Sequence, residues 1–153
     1  MSGGGLGWRR RGRVTARPFR EGEGRADPRL IPHPMRLTIL YVEDHNIVAD
    51  AVRDLLTEEG YSVEVCANGD AAMNKLAGGF AYDLLLFDNE LPGASGLELT
   101  RYARSLASYR TIPIIMISAS DCGVDAKRAG ADLFLRKPDD IAGLIDAVRR
   151  LTE

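Results

Sequence analysis

A chain of 153 residues has room for one ordinary domain and not comfortably for two. Charged residues at 27% and hydrophobic ones at 45% exclude collagen-like, disulfide-scaffold and wholly disordered chains, and no apolar run approaches the roughly 18 to 20 residues of a membrane-spanning helix. The net charge of −2 conceals an asymmetry: residues 1–36 hold nine arginines against three acids, a net of +6, and the remainder holds 11 basic and 19 acidic side chains, a net of −8.

Residues 1–35 are poor in apolar side chains and rich in Gly, Arg and Pro, without a periodicity that would bury a face, and are expected to be a disordered tail. Arg9-Arg10-Arg11 is followed by no apolar stretch of a secretory signal. Only Trp8 and Phe19 could stack on bases, which argues against a nucleic-acid partner for the tail. Two cysteines, Cys66 and Cys122, cannot staple a fold of this size; two free thiols and a cytoplasmic location are expected, with no membrane partner.

Residues 36–153 alternate short apolar runs with amphipathic stretches, which predicts one domain of five βα units. Leu37 to Glu43, Leu84 to Asp88 and Ile112 to Ser118 are nearly continuous apolar runs, as expected of interior parallel strands covered on both faces. Tyr61 to Ala67 instead alternates Tyr61, Val63 and Val65 with Ser62, Glu64 and Cys66, which suits an edge strand with one face less covered. Helical stripes follow at Val48, Ala51, Val52, Leu55 and Leu56, at Leu99, Tyr102, Ala103 and Leu106, and at Ile141, Leu144, Ile145, Val148 and Leu151. The expected fold is a (βα)5 doubly wound parallel sheet in the flavodoxin-like order 2-1-3-4-5, with ligands outside the strand C-termini at the switch point.

Three acids converge there. The first strand ends in Glu43-Asp44 and the third in Asp88, so their carboxylates meet between strands 1 and 3. Like charges this close repel unless a cation neutralises them or their pKa values rise, and all-oxygen ligands with open positions suit Mg²⁺. Taken singly, Asp44 could cap a helix and Asp88 could be a turn residue.

With these residues in place the chain resembles the response-regulator receiver domains of bacterial two-component signalling, over about residues 36–152. The resemblance rests on an ordered set: Glu43-Asp44, Asp88-Asn89-Glu90-Leu91-Pro92 with Gly96, Ser118-Ala119, and Lys137-Pro138. It implies that Asp88 is the phosphoacceptor and that Glu43, Asp44, Asp88 and the Glu90 carbonyl hold Mg²⁺. It also implies that Ser118 contacts the phosphoryl group, that Lys137 pairs with Asp88, that the Lys137–Pro138 bond is cis, and that Phe134 with Ser118 forms the switch. The partners it implies are a sensor histidine kinase or a histidine phosphotransfer protein as donor, and a downstream protein whose identity stays open. Rather than a classical enzyme, such a domain is a signalling phosphoacceptor.

Two features depart from the family. Ser118 to Lys137 is about three positions short and holds the helix-poor Ser120-Asp121-Cys122-Gly123, so helix four should be short. That puts in question the family's dimer and output surface of helix four, strand five and helix five, and leaves a homodimer open. Phe134 has no hydroxyl, so a switch there is read by ring position alone. Glu90, an added acid beside Asp88, either deters a hydrolytic water or points to solvent. After Leu151 only Thr152 and Glu153 remain, so no output domain is expected. The rival readings are a phosphorylation-independent interaction module, or pseudo-receiver, which would lack part of the acid, Ser and Lys set, and a flavodoxin-like nucleotide-binding protein, which would want a Gly-rich or Ser/Thr-rich loop where Glu43-Asp44-His45-Asn46 stands.

Overall fold

The apolar runs fold as five parallel strands: β1 (Thr38–Val42), β2 (Ser62–Cys66), β3 (Leu84–Asp88), β4 (Ile114–Ser118) and β5 (Leu133–Arg136). The structure, a computed structural model, describes residues 36–153; the tail expected at 1–35 lies outside the described residues. The strands form one sheet in the order β2-β1-β3-β4-β5. Helices α1 (Asn46–Glu58), α2 (Gly69–Ala77), α3 (Gly96–Ser105), α4 (Gly123–Ala129) and α5 (Leu144–Thr152) connect or follow them. The expected (βα)5 architecture and strand order are what the chain adopts.

Every residue of β3 and β4 is buried, as continuous apolar runs require of strands covered on both faces. Because side chains alternate along a strand, the sheet feeds two cores. Leu40, Val42, Leu85, Phe87 and Met116 pack toward Leu76, Leu99 and Ala126 of α2, α3 and α4. Ile39, Tyr41, Leu86, Ile115 and Ile117 pack toward Val52, Leu56, Leu144 and Val148 of α1 and α5. Each such fully buried side chain contributes on the order of 1.5–3 kcal/mol.

Some details differ from the sequence reading. In α1 the buried stripe is Ala49, Val52 and Leu56, positions three and four apart that share one helix face, while Ala51 and Leu55 are exposed. β2 is the edge strand expected, yet Cys66 is buried and Glu64 half-buried, since α2 covers that face. Both thiols are free, and burial pushes that of Cys66 up. Helix α4 has only 7 residues, as the short spacing predicted, and Gly130 ends it at φ 112°, a backbone region that glycine enters without strain. The final helix is preceded by a 3-10 turn, Ile141–Gly143, so the predicted stripe from Ile141 spans two elements. No helix among the described residues is long and apolar enough to cross a membrane.

Candidate functional site

Strand register assembles the site. Val42 of β1 lies beside Phe87 of β3, so the next residues, Glu43 and Asp88, leave the sheet side by side. Asp88 is paired with Ile117 of β4 and Ser118 with Arg136 of β5, which brings Ser118 and then Lys137 to the same carboxyl edge. Backbone hydrogen bonds carry the ladder one step past the strands: Glu43 N–H donates to the Cys66 carbonyl (3.0 Å), Asn89 N–H to Ile117 (2.9 Å) and Lys137 N–H to Ser118 (2.9 Å). The loops here have little freedom. Gly96, which opens α3, approaches the Asp88 carbonyl so closely that a Cβ would stand 2.5 Å from its oxygen.

Glu43 and Asp88 are only 2% and 4% exposed, so their charges need partners. Lys137 supplies them: its Nζ donates to Glu43 Oε2 at 2.7 Å and to Asp88 Oδ2 at 2.9 Å. The second oxygens are also held, Asp88 Oδ1 by the Glu90 N–H (3.2 Å) and Glu43 Oε1 by the His45 N–H (3.1 Å). The Tyr41 hydroxyl, two residues before Glu43 on the same strand face, donates to Glu43 Oε2 at 3.5 Å. Burial and the neighbouring carboxylates push the Tyr41 phenol far up, so it stays a donor.

The two buried acids titrate apart. Burial pushes Asp88 up to about 7, with the Glu90 and Glu43 carboxyls adding to the rise and Lys137 opposing it. For Glu43 burial works in the same direction but is outweighed by hydrogen bonds from Lys137 and His45 and by contact with Asp88, so its pKa falls. Lys137 pays a burial penalty that its two carboxylate partners more than offset, and it is held above its ordinary range.

Asp44, exposed, completes the acid group: Glu43, Asp44 and Asp88 each place a carboxylate oxygen within 4.8 Å of the others. An all-oxygen set of three converging acids, two of them buried, fits a small hard cation. Among the described residues no backbone N–H donates to the Glu90 carbonyl, which leaves that oxygen free. The Lys137–Pro138 bond is cis, as the resemblance implied.

Ser118 is fully buried, and Phe134, half-buried, lies beside Met116 in register on the α4 side, against Gly123. Sequence reasoning brought these residues to one end of the sheet, and the structure brings them together there. Glu90, exposed as a residue, does not simply point to solvent: its carboxylate accepts a hydrogen bond from the Ser118 hydroxyl. The bridging of both acids by Lys137 and the Tyr41 bond to Glu43 were missed; the i, i+2 spacing of Tyr41 and Glu43 on one strand was the available signal.

A family model described as the response regulator receiver domain matches residues 39–149. The transcriptional regulatory protein DltR of Streptococcus agalactiae is 34% identical over 119 residues, covering 76% of this chain and 52% of that protein. The sensory transduction protein RegX3 of Mycobacterium tuberculosis is 34% identical over 115 residues, covering 73% and 49%. The chain thus spans about half the length of the curated relatives it matches. Among solved structures, the Vibrio cholerae chemotaxis protein CheY4 superposes with a TM-score of 0.69 at 27% identity, over 76% of this chain and 98% of that one. The receiver domain of sensor histidine kinase PA1611 from Pseudomonas aeruginosa, solved with a magnesium ion in its active-site cleft, superposes with a TM-score of 0.69 at 29% identity, over 76% and 98%.

Proposed function

The chain belongs to the response regulator receiver domain family, a family of signalling domains rather than classical enzymes, and from that premise we propose that Asp88 accepts a phosphoryl group from a phosphohistidine donor. The observation that carries this is the bridging of Glu43 and Asp88 by Lys137, with Asp44 closing the acid group. A carboxylate oxygen of Asp88 attacks phosphorus in line as the bond from phosphorus to the donor breaks, and the donor leaves with its electron pair. Lys137 neutralises charge on Asp88 and on the transferring group, and its second bond, to Glu43, keeps the ammonium in place. Ser118 offers its hydroxyl to a phosphoryl oxygen, and the buried strand ends strengthen each of these interactions by excluding water.

Glu43, Asp44 and Asp88, with the Glu90 carbonyl, would hold Mg²⁺. When bound, the ion supplies positive charge against the phosphoryl oxygens. The proposed donor is a sensor histidine kinase or a histidine phosphotransfer protein in the cytoplasm, and the consequence of phosphorylation is altered binding to a downstream protein, with Ser118 and Phe134 as the switch. The phosphorylation-independent alternative finds no support, because no member of the acid, Ser and Lys set is missing. Incubation with acetyl phosphate and Mg²⁺ followed by intact-protein mass spectrometry tests the proposal. One added phosphate on the wild type and none on Asp88→Asn is expected; equal labelling of the two overturns it.

A further inference from the structure

Ser118 is committed before any phosphoryl group arrives. A serine hydroxyl has one proton to donate, and that of Ser118 goes to Glu90 Oε1. Its oxygen meanwhile accepts the Ser120 N–H at 3.0 Å, which fixes the rotamer. The Glu90 carboxyl also stands against that of Asp88. Glu90 thus reaches from the β3–α3 loop, across the mouth of the site, to the β4–α4 loop, although its residue is exposed overall.

We propose that Glu90 is a positioning residue that latches Ser118 in the resting protein, so that phosphorylation of Asp88 requires the Ser118 hydroxyl to exchange its Glu90 acceptor for a phosphoryl oxygen. This rests on the reading of Asp88 as phosphoacceptor. No proton is transferred in the exchange; the hydroxyl keeps its hydrogen and changes acceptor. The two acceptors exclude one another, because a phosphoryl group carrying about −1.5 to −2 charges beside Asp88 repels the Glu90 carboxylate. The released carboxylate swings toward solvent, so the latch links the chemistry to the position of the β3–α3 loop.

A double-mutant cycle read by acetyl phosphate labelling in Mg²⁺ tests the latch. Glu90→Ala frees the hydroxyl and should speed labelling by about tenfold, the rate equivalent of a net hydrogen bond to a charged group. Glu90→Gln keeps an acceptor oxygen without the charge and should give an intermediate rate. In a Ser118→Ala background, labelled at a donor concentration high enough to follow its slower reaction, Glu90→Ala should accelerate labelling far less than in the wild-type background. Melting temperatures of the variants establish that they are folded. Equal acceleration with and without the Ser118 hydroxyl would show that Glu90 acts only by its charge and would overturn the latch, as would no acceleration in either background. A wild-type chain that takes no phosphate removes the underlying reading and the latch with it, whereas normal labelling without coupling removes the latch alone.

Discussion

Asp88 combines a nucleophile's position with a burial that opposes its charge. Raised to about 7 from an ordinary value of 3.8, it binds a proton in the folded chain that the unfolded chain has already released. Its contribution to stability is therefore present below about pH 4 and lost as pH rises through about 7. Glu43, held low, contributes in the opposite sense, and that contribution is lost only as pH falls below the ordinary carboxylate range. With a chelator present, Asp88→Asn should gain melting temperature relative to the wild type between pH 5 and pH 8; a pH-independent difference would show that the carboxyl is not raised. At this scale Asp88, Lys137 and Ser118 were legible, because each ends an apolar strand. The second bond of Lys137 and the bond from Ser118 to Glu90 were not, since both depend on side-chain rotamers in loops that no periodicity governs.

Helix α2 shows how an element far in sequence holds the β3–α3 loop. Its Gly69 N–H donates to the Pro92 carbonyl at 2.9 Å, and the Asp70 carboxylate accepts the Ala94 N–H at 3.2 Å. A Cβ at Gly69 would stand 1.8 Å from the Ala94 carbonyl oxygen, so the loop that carries Glu90 is clamped against the helix N-terminus by the absence of a side chain. Gly69→Ala should destabilise the fold by roughly 1–3 kcal/mol or more in urea unfolding, because that contact is with backbone and cannot be relieved by a rotamer change. An unchanged unfolding midpoint would mean that the loop moves aside freely. This clamp was invisible in the sequence, where nothing in Gly69-Asp70 marks a contact with the distant loop after β3. The sheet was far more legible, because the continuous burial of β3 and β4 and the edge place of β2 follow from strand position, although the alternation expected of β2 gives way to partial burial of both faces.

Across the whole molecule the acid group sets an electrostatic load that a cation relieves. Mg²⁺ binding to the native fold alone raises stability by RT ln(1 + [L]/Kd), so melting temperature should rise with Mg²⁺ in the wild type and much less in Asp44→Asn. Identical responses from the two chains would contradict a carboxylate metal site. The basic N-terminal segment, residues 1–34, carries no predicted apolar face, and we propose it is dispensable: a chain starting at Met35 should match the full chain's stability within about 1 kcal/mol and label equally. A large loss of either would show that the first 34 residues dock on the domain. The central claim is that Asp88 itself becomes the acyl phosphate. Reductive trapping after acetyl phosphate treatment in Mg²⁺, which converts an acyl phosphate to an alcohol, followed by fragment mass spectrometry, tests it most directly. The modification should fall at position 88 alone; its appearance at Glu43, Asp44 or Glu90, or its absence from a folded chain, would contradict the account.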